Sequence, residues 1–159
     1  MSTSPTRPAG HSHFLSLPDL AARPATFGHK GQVYDGWETR RRRGATADSH
    51  DFAIVRLGVP GIIRGVVVDT AYFIGNAPGS ARLRGRDGDG EWFDLLPQTA
   101  LQPDTRHRFL IDPDVASTSP VTDARLDTHP DGGMARLRLF GRLTQEGLRR
   151  VKQRWDASG

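Results

Sequence analysis

Between residues 52 and 140 the apolar residues come in short bursts, each closed by glycine or proline, and this pattern limits the fold more than any other feature. Residues 52–57 (FAIVRL) and 64–74 (RGVVVDTAYFI) are rich in β-branched and aromatic side chains, and Val59-Pro60-Gly61 marks a turn between them. Residues 81–86 alternate with period two, and Asp87-Gly88-Asp89-Gly90 then reads as a hairpin turn. Residues 92–96, 106–111, 124–128 and 135–140 complete the set. In the last, Ala135, Leu137 and Leu139 face one way while Arg136 and Arg138 face the other, the mark of a half-buried strand. Many short strands with little helix predict an all-β sandwich or jelly roll. No internal repeat is visible.

The two ends read differently. Residues 1–13 are rich in Ser, Thr, Pro and His, lack the apolar stretch of a secretory signal, and read as a disordered tail. Residues 14–20 (FLSLPDL) form an apolar lead-in. At the other end Thr144 is placed to cap a helix whose apolar face is Leu148, Val151 and Trp155, with Arg149, Arg150, Lys152 and Arg154 around it. Trp155 needs cover, which predicts packing on the sandwich or on another chain.

At 159 residues the chain is about one domain long, and no apolar run is long enough to cross a membrane. Cysteine is absent, which excludes disulfides, thiolate metal sites and a cysteine nucleophile, and makes the cytoplasm the default location. The net charge of +4 is carried almost wholly by arginine; Lys30 and Lys152 are the only lysines. Arginine serves phosphate contacts in nucleic-acid binding and the two-pronged grip on a carboxylate, and composition does not separate the two.

Asp35-Gly36-Trp37-Glu38-Thr39-Arg40-Arg41-Arg42-Arg43 holds more chemistry than any other stretch. Asp35 and Glu38 offer carboxylates, Trp37 a flat apolar wall, and the arginines four adjacent cations. An arginine run alone reads as a solvated loop or a phosphate patch. The flanking acids repel a polyanion, so the mixture suits a small ligand bearing a carboxylate and amide-like N–H groups, and no nucleic-acid partner is expected. His50-Asp51 is a candidate base with its orienting carboxylate, although neighbours on an extended chain point apart. His29, His50 and His129 match no standard metal-ligand spacing, so no metal and no other cofactor is expected. Asp69 interrupts an apolar strand and must be paired, solvated or functional. Asn76, read as the turn that ends this strand, and Asp131, in the His129-Pro130-Asp131-Gly132-Gly133 connector, are further candidates to line a site.

Three blocks carry a resemblance: GQVYDGWETRRRR (residues 31–43), HDFAIVRLGVPGIIRGVVVDTAYFIGN (50–76) and RLDTHPDGGMARLRLFG (125–141). In order and content they resemble the allantoicase repeat, with an echo at residues 14–21. The resemblance implies a jelly-roll sandwich similar to galactose-binding and discoidin-type domains. It divides the chain into a tail (1–13), an allantoicase-like sandwich (14–141) and a short C-terminal amphipathic helix (142–159).

It also implies hydrolysis of allantoate to ureidoglycolate and urea in purine (allantoin) degradation. Such a site needs a cation for the carboxylate, acceptors for the ureido N–H groups, an acid for the departing urea and a base for water. On chemical grounds Arg40, Arg41 and Arg42 take the carboxylate, Asp35 and Glu38 the ureido groups, and Trp37 forms a wall. Glu38 or His50 moves protons, with Asp69, Asn76 and Asp131 in support. Family members usually carry two tandem repeats; here there is one, and the stretches before residue 28 and around residues 80–92 look shortened. A single repeat restores the two-copy arrangement by homo-oligomerising. The alternative is a non-catalytic jelly-roll module that binds a small ureido or carboxylate ligand or a partner subunit.

Overall fold

The computed structural model describes residues 27–28, 31–32, 36–46 and 48–158. The readings for residues 1–13 and 14–20, and for Asp35, lie outside the described residues. Two short pairs precede and cap the body: β1 (Phe27–Gly28) with β2 (Gly31–Gln32), and β3 (Trp37–Glu38) with β9 (Gly133–Met134). The body consists of β4 (Asp51–Asp69), β5 (Ser80–Arg86), β6 (Phe93–Ala100), β7 (Arg106–Leu110), β8 (Val121–His129) and β10 (Arg136–Leu143). Helix α1 (Pro113–Thr118) crosses between β7 and β8, and α2 (Gln145–Ser158) follows β10. The result is the all-β sandwich with a short C-terminal helix that the period-two bursts predict.

The strand β4 serves both layers. Residues 51–56 pair with β8, which continues through β5 to β6, all antiparallel. Beyond a break in register between Arg56 and Gly61, the same strand pairs with β10 on one edge and β7 on the other. The expected turn at Val59-Pro60-Gly61 is therefore a bulge inside one long strand. Pro60 has no N–H for a ladder, so pairing lapses there and the strand bends. Its carbonyl instead accepts the Thr144 N–H at 3.2 Å.

The core lies between the layers. It takes Val66 and Val68 from β4, Ala81 and Leu83 from β5, Ala124 and Leu126 from β8, and Leu137 from β10, all nearly inaccessible. The apolar run expected to be strand as far as residue 74 stops sooner, at Asp69. The Asp69 carboxylate accepts the Ala71 N–H at 3.0 Å, an Asx turn that competes with the ladder, and Thr70 Oγ1 donates to the Gln102 carbonyl at 2.7 Å. Phe73 still buries its ring, but from a loop. Helix α1 was not expected; its signal is Asp112-Pro113-Asp114, where Asp112 caps the Asp114 N–H at 2.8 Å and proline occupies the first turn.

The face of β5 and β8 turned from the core alternates arginine and aspartate. Asp127 is 1% exposed, yet it sits on that face, because Arg84 (2.9 Å), Arg125 (2.8 Å) and His50 (3.5 Å) close over it. Asp123 is covered in the same way by Arg56 (3.1 Å) and Arg86 (3.4 Å).

Candidate functional site

Three loops meet at one end of the sandwich: the arginine loop (residues 36–46), the turn after β4 (70–79) and the β8–β9 connector (130–132). The β3–β9 pairing clamps the first to the third, with Trp37 opposite Met134 and Glu38 opposite Gly133. Thr39 reinforces it, its N–H reaching the Gly132 carbonyl at 3.2 Å while its Oγ1 accepts the Gly132 N–H at 3.0 Å. Two glycines are required here. Gly132 has φ +134°, which side-chain-bearing residues avoid, and a Cβ on Gly133 would enter the Phe73 ring.

On this frame the loop alternates inward and outward. Trp37 is half-buried against the core, whereas Glu38 is exposed and accepts a hydrogen bond from the Asn76 side-chain amide. Arg41 Nη2 donates to the Gly75 carbonyl at 3.2 Å. Arg42 is the anchor of the loop. Its backbone N–H donates to the Asp131 carboxylate, and its guanidinium forms an ion pair with Asp51 and reaches the His50 carbonyl at 3.2 Å. Residues 39–45 with Ser49 and Asp51 line an open cleft of about 440 Å³. Arg40 and Arg43 line it too and pair with no described residue.

The sequence-chosen residues thus divide. Trp37, Glu38, Arg40, Arg41, Arg42, Asn76 and Asp131 come together at this end. Asp69 is sealed beneath it, 2% exposed, its oxygens held by the Ala71 N–H and by Arg106 Nε at 2.9 Å. His50 contributes its carbonyl, but its ring is turned toward β8. Nδ1 lies 2.9 Å from the Asp48 carbonyl, which can only accept, so Nδ1 carries the proton. The other nitrogen then receives the Arg125 guanidinium at 3.3 Å. The base that sequence reasoning offers beside the cleft is occupied from behind.

Sequence reasoning underrates two residues. Asp51, read as an orienting carboxylate for His50, instead holds Arg42; only folding brings a loop arginine back to the first residue of β4. His129 stacks its ring on His50, centroids 5.2 Å apart and tilted 37°. Both its nitrogens are closed to solvent and neither makes a hydrogen bond of good geometry. Burial first, and then His50, push this imidazole below its ordinary value of 6.5; Asp127 and the Ser49 carbonyl oppose the shift without cancelling it, and Arg82 adds to it. Its place in the ordered block RLDTHPDGG was the available signal. Among the described residues no cluster of His, Asp and Glu is arranged to hold a metal ion.

Comparison with known proteins agrees with this architecture. Residues 9–144 match the family model of the allantoicase repeat. A probable allantoicase of Nocardia farcinica is 53% identical over 116 residues, covering 73% of this chain and 33% of that protein. One of Streptomyces avermitilis is 45% identical over 137 residues, covering 74% and 35%. The chain thus spans about a third of the length of these relatives. The crystal structure of allantoicase from Saccharomyces cerevisiae superposes with TM-score 0.59 at 33% identity, covering 67% of this chain and 31% of that one. An F5/8 type C domain from Bacteroides fragilis shares the fold at TM-score 0.51 and 21% identity. With a family model matched over most of its length, on a fold shared with a solved member, the chain belongs to the allantoicase family.

Proposed function

We propose that the loop end of the sandwich binds allantoate and promotes its hydrolysis to ureidoglycolate and urea. One observation carries the reading: four successive arginines line one open cleft, and the exposed Glu38, held by the Asn76 amide, precedes them in the same loop. Allantoate has one carboxylate and two ureido arms on one carbon. Arg42 is spent on Asp51 and Asp131, so the carboxylate falls to Arg40 and Arg41, with Arg43 alongside, and Arg42 fixes the loop that presents them. Trp37 braces the loop from within.

In the reaction the bond from the central carbon to one ureido nitrogen breaks. That nitrogen takes a proton and leaves as urea, while water delivers its oxygen to the carbon and gives up a proton. Glu38 is suited to the proton transfers, because it is solvent-facing and Asn76 orients it. Asp35 is assigned to ureido contacts from its place in the motif, and Asp131 and Asn76 support from the neighbouring loops. Asp69 and the His50 ring act on the frame rather than on substrate. No cofactor enters the scheme.

Urea release from allantoate by the purified chain, with and without added divalent metal, is the test. Glu38→Gln should lower turnover by roughly 10²-fold or more with little change in folding; turnover equal to the parent's would remove Glu38 from the mechanism. Allantoate binding without urea release would favour a non-catalytic module.

The proposal extends to assembly and location. About two thirds of each relative lies outside the match, chain enough for another unit of this size. The apolar face of α2 is open, with Trp155 79% and Leu148 61% exposed. A second copy of this chain is the partner we assign to it. No helix among the described residues is long and apolar enough to cross a membrane, and the lack of cysteine fits the reducing cytoplasm.

A further inference from the structure

We propose that His50 and His129 are a positioning pair for the arginine loop, which keeps its shape only while His129 is neutral. The inference rests on the reading that this loop end is the ligand site, and it adds residues that do not touch the ligand.

The geometry is specific. Arg42 is held at two points, by the Asp131 carboxylate at its backbone N–H and by Asp51 at its guanidinium. His50 immediately precedes Asp51, and His129 lies two residues before Asp131. The two imidazoles meet at 5.2 Å, tilted 37°, beside the Asp51–Thr128 ladder pair, so both anchors of Arg42 lie next to one aromatic contact. His50 is fixed by the Asp48 carbonyl on one nitrogen and by the Arg125 guanidinium on the other. His129 has no comparable set, and both its nitrogens are shut from water.

A proton on His129 therefore places a cation in a closed space against His50, with the Arg82 charge nearby. Among the described residues Asp127 is the carboxylate facing it, and Arg84 and Arg125 already share that group. The Ser49 carbonyl offers a hydrogen bond but no charge. Relief comes from turning the His129 ring off His50; Asp51 and Thr128 stay paired in the ladder, so the movement falls on residues 130–132 and loosens the Asp131 hold on Arg42. The sign follows from linkage. A histidine pushed below 6.5 in the folded chain makes folding less favourable as pH falls past 6.5, since the unfolded chain then takes up a proton that the folded one resists.

Amide hydrogen exchange followed by NMR tests this without any ligand. The Arg42, Thr39 and Gly132 amides report the clamp, and protection factors divide out the intrinsic pH dependence. In the parent chain their protection should fall roughly tenfold as pH drops from above to below 6.5, while β8 amides stay protected. In His129→Phe, which keeps a ring on His50 and removes the proton site, protection should stay high throughout. If that variant folds poorly, His129→Asn gives the same comparison.

Equal pH dependence in parent and variant, or none in the parent, would overturn the proposal. So would a variant unprotected at neutral pH. Kinetics separate this from the function itself: with allantoate, acid should raise KM more than it lowers kcat, and His129→Phe should flatten that rise. Absence of turnover alongside pH-dependent protection would refute the allantoate reading alone.

Discussion

At the level of single residues, the fate of each charge depends on what closes over it, and that decides what a sequence can reveal. Asp69 stood out because it interrupts an apolar run, and its alternatives, a solvated face, the partner of an arginine or a site group, could not be separated without Arg106 in place. Asp127 did not stand out, since VTDARLDTH reads as ordinary alternation. Yet Asp127 is the more deeply committed group, holding Arg84 and Arg125 while almost wholly covered. Asp127→Asn leaves those two guanidinium groups partly buried with no anion, and it should cost about 3 kcal/mol in urea unfolding. Arg82 also meets its partner Asp94 through two bonds, at 2.7 and 2.8 Å, but both side chains are 40% exposed. Asp94→Asn should therefore cost less than about 1 kcal/mol. Equal losses at the two positions would mean that coverage by arginine does not seal Asp127 from water. The arginine run shows the same limit: four identical neighbours became one anchor, one carbonyl contact and two cleft cations with no partner among the described residues only once Asp51, Asp131 and Gly75 were brought to them.

At the level of elements, the period-two pattern located the strands well and their ends poorly. Strand β4 ran through a proline because a bulge absorbs the missing donor, and it stopped five residues short of the apolar run because Asp69 supplies a competing turn. Both outcomes turn on local hydrogen bonds that periodicity does not contain. The tail was plainer. Thr144 caps α2 as its position predicts, accepting the Gly147 N–H at 3.0 Å. Gly147 carries a further constraint that sequence hides, because a Cβ there would run into the Pro60 carbonyl at the bulge. Helix propensity alone says that Gly147→Ala should stabilise the chain by up to about 1 kcal/mol. The contact with β4 reverses the sign. The alanine variant should melt several degrees lower, with the lost ellipticity confined to helix, and a higher melting temperature would show that α2 shifts freely off β4.

For the molecule as a whole, the question is how a chain that matches about a third of each relative covers its apolar surface. The sandwich core is closed, so the uncovered area lies outside it. Leu148, Val151 and Trp155 of α2 are exposed, and Phe140 and Leu143 of β10 are exposed as well. The first turn of α2 is seated by Gly147 at Pro60, while the last two turns extend with their tryptophan 79% accessible. One exposed leucine is unremarkable on any protein, but a tryptophan, a leucine and a valine along one helix stripe are an interface signal. Arg149 and Arg150 are satisfied within the helix by Glu146, so their charge need not keep two such helices apart. The chain should therefore sediment as a dimer or higher oligomer at micromolar concentration. Trp155→Ser combined with Leu148→Ser should yield a monomer with an unchanged sandwich, because neither side chain belongs to the core. If the double variant keeps the parent's sedimentation, α2 is not the contact; if the parent is itself monomeric, the second-copy proposal fails outright.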